Sequence, residues 1–180
     1  MEITEYQDII QKTAIYPKHL GPAYTTLGLI GELGEFAVAI AKNDEPNIKK
    51  EAGDVFWYIT ATCNEFHILV EEAFQLKDHK WPNEYDPDNC ADEAIFISTE
   101  VSELVKKYCR DGNIDISRLT LGLNIIFTQV LMAANHYGIE FEEILEANYT
   151  KLIKRRETDT LHGSGDNREE VLVQTELSNI

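Results

Sequence analysis

Glu32 and Glu35, then Glu51 and Asp54, form two acid pairs of i, i+3 spacing, separated by residues 36–50. On helices, each pair presents its two carboxylates on one face. A connection this short makes the helices antiparallel neighbours. Four carboxylates converging between them would repel one another unless a divalent cation lies among them. Hard oxygen ligands of this kind suit Mg²⁺, with Mn²⁺ as a substitute. Mg²⁺ in turn points to a polyphosphate substrate.

The elements that must carry these acids read as helices throughout, which predicts an all-α fold. A first helix is predicted over residues 3–13, opened by Thr4 and Gln7 as a capping box and ended near Tyr16-Pro17. A second begins after Gly21-Pro22 and runs to about Lys42, with Leu29, Leu33, Phe36 and Ile40 as its apolar stripe. Asn43-Asp44-Glu45-Pro46 breaks it. A third covers about 47–63 on the stripe Ile48, Ala52, Val55 and Ile59. All four acids sit one residue before a stripe position. One residue is about 100° of helix rotation, so both pairs border the buried face, where packed helices enclose a half-buried groove. Merely solvated acids would more often lie opposite the stripe.

A short helix near 69–79 and a linker over 81–90 precede a second round of the same pattern. Ile97, Val101, Leu104 and Tyr108 repeat the stripe, with Glu100 and Glu103 again one residue ahead. After the turn at Asp111-Gly112-Asn113, Leu119, Leu123, Ile126 and Val130 form another stripe that stops near Gly138. Phe141-Glu142-Glu143 then answers Val70-Glu71-Glu72. The chain is therefore expected to be one all-α domain over 1–180 with two tandem copies of a helical unit, about 23–80 and 91–156, and a tail over 157–180. In this register Glu51 corresponds to Gly122 and Asp54 to Ile125. No acid occurs between Asp115 and Glu140, so copy two is degenerate, and Glu100 and Glu103 are expected to be structural remnants.

Composition narrows the partners. The chain has 180 residues, 43% of them hydrophobic, with 32 acids against 16 bases and a formal net charge of −16. That argues against a nucleic acid polymer, whose phosphates demand a basic surface, but not against a single nucleotide. No apolar run approaches the roughly 18–20 residues that span a bilayer. Three cysteines without a CxxC and no signal peptide make a reducing cytoplasm the simplest compartment.

Gly31-Glu-Leu-Gly-Glu35 followed by Glu51-Ala-Gly-Asp54-Val-Phe-Trp-Tyr58 resembles the ExxE…ExxD signature of the MazG-like all-α nucleoside triphosphate pyrophosphohydrolases. Tyr6-Gln7 and Thr13-Ala-Ile-Tyr-Pro17 resemble the first helix of small, phage-type members. Glu146-Ala-Asn148-Tyr-Thr-Lys151-Leu152 and Gly163-Ser-Gly-Asp-Asn-Arg168 resemble their C-terminal end. In small members one unit carries everything and subunits pair. Here the acid tetrad lies in copy one, while Asn148, Lys151 and the 163–168 segment belong to copy two or its tail. The expectation is a fused pseudo-dimer with one complete site.

The resemblance implies hydrolysis of a (d)NTP to the monophosphate and pyrophosphate with Mg²⁺, in the host cytoplasm if the protein is phage-encoded, with a slight lean to a purine such as dGTP. Glu32 and Glu35 are the expected catalytic acids, Glu32 as base toward the attacking water. Glu32, Glu35, Glu51 and Asp54 are the expected metal ligands. Asn148, Lys151, Lys154, Arg155, Arg168 and Trp57 are the expected substrate-binding residues, with Lys151, Arg168 and Lys154 or Arg155 as candidates for the outer phosphate oxygens. Lys154 and Arg155 read equally as a cluster favoured by a helix C-terminus, and Trp57 as either core or base-stacking. The resemblance also implies a homodimer or higher homo-oligomer. Two alternatives stand beside it: a phosphoribosyl-ATP pyrophosphohydrolase, and a catalytically silent nucleotide-binding or assembly module.

Overall fold

The computed structural model describes residues 2–75, 85–158, 160 and 161. Arg168 with the rest of the 163–168 segment, the predicted helical residues 76–79 and the Trp81 end of the linker lie outside the described residues. Among those described, every regular element is helical. They are α1 (Ile3–Thr13), a 3₁₀ turn (Lys18–Leu20), α2 (Gly21–Ala41), α3 (Glu45–Phe66), α4 (Val70–Ala73), α5 (Pro87–Asp111), α6 (Ile116–His136) and α7 (Phe141–Glu157).

α1 buries Tyr6, Ile9, Ile10 and Thr13. Its start differs from the predicted Thr4/Gln7 box. The Glu2 N–H donates to Glu5 Oε2 (3.3 Å), and Gln7 turns inward instead. Its amide donates to Asn64 Oδ1 (2.9 Å) and to the Ile68 carbonyl (3.1 Å), and its Oε1 accepts from the Val70 N–H (3.2 Å). One side chain thus satisfies backbone groups that the α3–α4 corner leaves without helical partners.

The predicted stripes of α2 and α3 are all buried. Asn43 (φ 52°) reverses the chain between them. Pro46 does not lie outside a helix as predicted. It sits in the first turn of α3, where a missing N–H costs no helical bond. Asp44 caps that turn, accepting from the Asn47 N–H (3.4 Å). The same device starts α5 early. Asp86 caps it and Pro87 follows in the first turn, so residues 87–90, predicted as linker, are helical.

α2 packs most extensively on α3 and on α5, and α5 on α6, while α3 also meets α6 and α7. The centre is aromatic. The Phe56 and Phe127 rings lie 5.1 Å apart, and Phe74 and Phe141 complete the group. The register that pairs Glu51 with Gly122 also pairs local features. Asp44 and Asp115 are both helix caps. His67 (φ 55°) and Gly138 (φ 72°) both take the left-handed conformation after a long helix. Phe56 and Phe127 are matched positions that touch each other, as do helices α2 and α5.

Residues 18–41 and helix α6 are long and apolar enough, by length and composition alone, to cross a membrane, contrary to the expectation from the sequence. Both run within the bundle. α6 buries Leu119, Leu123, Ile126, Phe127 and Val130. α2 buries one side and leaves Leu27 70% exposed and Val38 51% exposed.

Candidate metal centre

The edge positions of α2 and α3 bring the acids together. One carboxylate oxygen each from Glu32, Glu35 and Glu51 lie within 4.8 Å of one another. Glu35 is exposed, Glu32 half-buried and Glu51 buried, at 5% exposure. Glu51 Oε1 accepts from the Lys50 ammonium. Its Oε2 is buried and has no hydrogen-bond partner among the described residues.

The cost of this gathering shows in proton affinity. Burial, then the neighbouring carboxylates of Asp54, Glu35 and Glu51, push Glu32 up to about 8, with Lys151 opposing. Burial also raises Glu51, against the Lys50 ammonium, with Asp54 and Glu35 adding to the rise. Like charges and desolvation both disfavour the ionised form. A buried orphan oxygen and three converging hard donors fit a divalent cation of the Mg²⁺ or Mn²⁺ type. Glu32, Glu35 and Glu51 are the residues that would hold it.

Asp54 is placed differently from the other three. Its Oδ1 accepts from Asn148 Nδ2 (3.0 Å) and from the Lys151 ammonium. Asn148 Oδ1 in turn accepts from the Tyr6 hydroxyl (2.8 Å), and Tyr6 is fully buried. A Tyr6–Asn148–Asp54 chain therefore links α1 and α7 to α3. Gly53 makes the approach possible: a Cβ there would lie 3.1 Å from the Asn148 Cβ. Two residues of α7 thus reach an acid of α3.

Trp57 is half-buried, edge-on to Tyr58 (4.7 Å) and Tyr16 (6.5 Å). Its indole nitrogen is buried with no partner among the described residues. Tyr24 stacks on Tyr16 at 4.7 Å, and the Tyr16 hydroxyl donates to Glu65 Oε1 (2.9 Å). Gly28 leaves room for Tyr58, whose ring would lie 2.0 Å from a Cβ at that position. This cluster is continuous with the acids, since Glu32 and Asp54 both raise the Tyr58 hydroxyl after burial and Tyr24. Lys154 and Arg155 lie in the last turn of α7, with Lys154 exposed.

The sequence missed Lys50, the inward role of Tyr6, and the Tyr16–Tyr24–Glu65 extension of the aromatic cluster. Tyr6 lies on the apolar face of its helix, which marks it as core. No spacing rule reveals that its hydroxyl meets Asn148.

Residues 21–84 match the MazG nucleotide pyrophosphohydrolase domain family. The chain is also similar to the "Gene 37 protein" of Mycobacterium phage L5, 29% identical over 97 residues that cover 44% of this chain and 85% of that protein. No solved structure matches the chain. The matched residues 21–84 contain all four acids and the helical hairpin that gathers them, so the chain carries a MazG nucleotide pyrophosphohydrolase domain and is, by that domain, a hydrolase acting on the phosphoanhydride bonds of nucleoside triphosphates.

Proposed function

We propose that the chain hydrolyses a (d)NTP to the (d)NMP and pyrophosphate with Mg²⁺, for which Mn²⁺ can substitute. The observation that carries this reading is the convergence of Glu32, Glu35 and Glu51 around the unpartnered Glu51 Oε2. Bound divalent cations would supply charge neutralisation, orientation of the phosphates and acidification of a water. Glu35 and Glu51 act mainly as ligands. Glu32 takes the proton of the attacking water, and its half-buried place among carboxylates keeps its basicity high. Asp54, anchored by Asn148 and Lys151, completes the charged wall, and Lys151 would also meet the phosphates. In the step itself water attacks one of the two phosphorus atoms that flank the α,β-bridging oxygen, the bond from that phosphorus to the bridging oxygen breaks, and the bridging oxygen keeps the electron pair, giving the monophosphate and pyrophosphate.

The aromatic cluster of Tyr16, Tyr24 and Trp57 supports a base that stacks on its outer face. We keep a purine deoxynucleotide such as dGTP as the first substrate to test. The repeated caps and the Phe56–Phe127 contact support a duplicated unit that acts as a pseudo-dimer. Exposed Leu27 and Val38 on α2 and Phe96 on α5 (65% exposed) support assembly into a homodimer or a larger oligomer. The net charge of −16 speaks against a polymer of nucleic acid as substrate. We place the activity in the cytoplasm, where deoxynucleotide pools lie. Pyrophosphate release from a panel of about twelve nucleotides, with Mg²⁺, Mn²⁺ or EDTA, tests the reading. Metal-dependent release from a triphosphate is expected, and no turnover of any nucleotide with either metal would refute it.

A further inference from the structure

Beyond the acids, on the side away from the aromatic cluster, α2 and α3 enclose a groove of about 330 Å³. Gly31, Gly34, Glu35, Lys42, Asn47 and Glu51 line it, and Glu35 and Glu51 are shared with the metal centre. We infer that this groove receives the β- and γ-phosphates of the substrate and then the leaving pyrophosphate, with Lys42 as their cationic contact. The inference rests on the reading under Proposed function and extends it to residues outside the acid tetrad.

Direction along the helices is the first argument. Tyr24 precedes Glu32 by eight residues on α2 and Lys42 follows Glu35 by seven, roughly 12 Å and 10 Å at the rise of a helix. α3 runs the other way, from Asn47 through Glu51 to Trp57. A nucleotide with its base at the aromatic end and its α,β-bridge at the acids directs its terminal phosphates toward Lys42 and Asn47.

The glycines are the second. Among the described residues, a Cβ at Gly31 or Gly34 would meet nothing within 4 Å, so no contact with them requires either glycine. Each nonetheless costs about 1 kcal/mol relative to alanine in a helix interior. Bare backbone at both positions leaves the groove floor open to an incoming group.

The third is charge. Glu51, whose Oε2 is buried and unpartnered among the described residues, lines the groove. Its other oxygen is held by Lys50. Asp44 also lines the groove, but its carboxylate is engaged by the Asn47 N–H and by Asn47 Nδ2 (2.7 Å). Among the described residues that line the groove, Glu35, Asp44 and Glu51 thus stand with one cation, Lys42. An anion enters such a groove together with metal, which accounts for an acid-rich wall beside a phosphate path.

Titration of the full chain with pyrophosphate in the presence of Mn²⁺, followed by calorimetry, tests this. Lys42→Met should weaken pyrophosphate binding by about tenfold, the scale of one charge-assisted hydrogen bond. Gly34→Leu, whose Cβ would meet nothing within 4 Å among the described residues, should weaken it at least as much while leaving the melting temperature unchanged or higher. Affinity for the nucleoside monophosphate should hold in both variants. A lysine that merely favours a helix C-terminus would change none of these affinities. Unchanged pyrophosphate binding in both variants, or none in the parent protein, overturns the groove assignment even if triphosphate hydrolysis is intact. Binding that depends on Lys42 in a protein that hydrolyses no triphosphate would leave the groove standing and remove the enzymatic reading.

Discussion

Glu32 and Glu35 on α2 share their i, i+3 spacing with Glu100 and Glu103 on α5, and the two helices pack against each other. Their surroundings are opposite. The first pair faces Glu51, and burial with neighbouring carboxylates raises Glu32 to about 8. In the second, Glu100 Oε2 accepts from the Arg118 guanidinium (2.6 Å) and Glu103 is paired with Lys106, which lowers its carboxyl. The difference lies in the partner helix. Where α3 has Asn47 and Glu51, α6 has Arg118 and Gly122 in the matched positions. Glu32 and Glu35 meet a third carboxylate because the next helix supplies Glu51, whereas Arg118, delivered by α6, holds Glu100 at the surface.

The largest effect should come from removing the third oxygen or one of the first two. Glu51→Gln and Glu35→Gln are each expected to lower kcat at least about 100-fold, the scale of losing one preorganised electrostatic group at a reacting centre. Glu103→Gln should leave kcat/KM within about twofold. Circular dichroism should show unchanged helical content in all three. A strong loss on Glu103→Gln, or full activity in Glu35→Gln, would erase the distinction between the two halves.

The next effect belongs to the contacts that cross from one half to the other. Asn148→Ala and Tyr6→Phe each break the chain that orients Asp54, and Mn²⁺ affinity should fall about 10- to 100-fold. Calorimetric titration with Mn²⁺ reads this directly. The same chain marks the limit of what the sequence can tell. Local information sufficed for α1, for the stripes of α2 and α3, and for the acid pairs at their edges, because periodicity and spacing are properties of neighbours. It also suggested the repeated unit. It failed at Pro46 and Pro87, each read as a break, because proline in a first turn and proline outside a helix differ only in whether the preceding aspartate caps. It failed again at Thr4 and Gln7, where tertiary demand at the α3–α4 corner took Gln7 from the helix start. Asn148 and Lys151 came from family resemblance alone. Their partner lies more than ninety residues away in sequence, and no periodicity encodes that contact.

A smaller effect separates the halves by pH in the metal-free protein. Glu32 holds its proton up to about 8 in the fold, against 4.5 when unperturbed. Between these values the native state binds more protons than the unfolded one, so stability falls as pH rises. This contribution is present in full below about pH 4.5 and gone above about pH 8. Glu51, also raised, has the same sign. In EDTA, the melting temperature of Glu32→Gln should therefore gain on the parent as pH rises from 5 to 8. Glu103, whose carboxyl is lowered by Lys106, has the opposite sign, so Glu103→Gln should not gain over that range. With Mn²⁺ present, binding must displace the Glu32 proton, so affinity should rise with pH over the same interval.

The smallest effect tests whether the second pair could be converted by subtraction alone. Arg118→Ala removes an ion pair between side chains that are 60% and 50% exposed. Exposed pairs contribute little, and the melting temperature should drop by no more than about 3 °C. Freed of Arg118, Glu100 and Glu103 still lack a third donor, because Gly122 occupies the position of Glu51. Glutamate cannot simply be placed there: a Cβ on Gly122 would lie 2.8 Å from Val101 Cγ2. Arg118→Ala should consequently gain no Mn²⁺ site, and titration of that variant should return the same number of bound ions as the parent. An additional ion in Arg118→Ala would mean that the two carboxylates suffice, and that Arg118 alone keeps the second half silent.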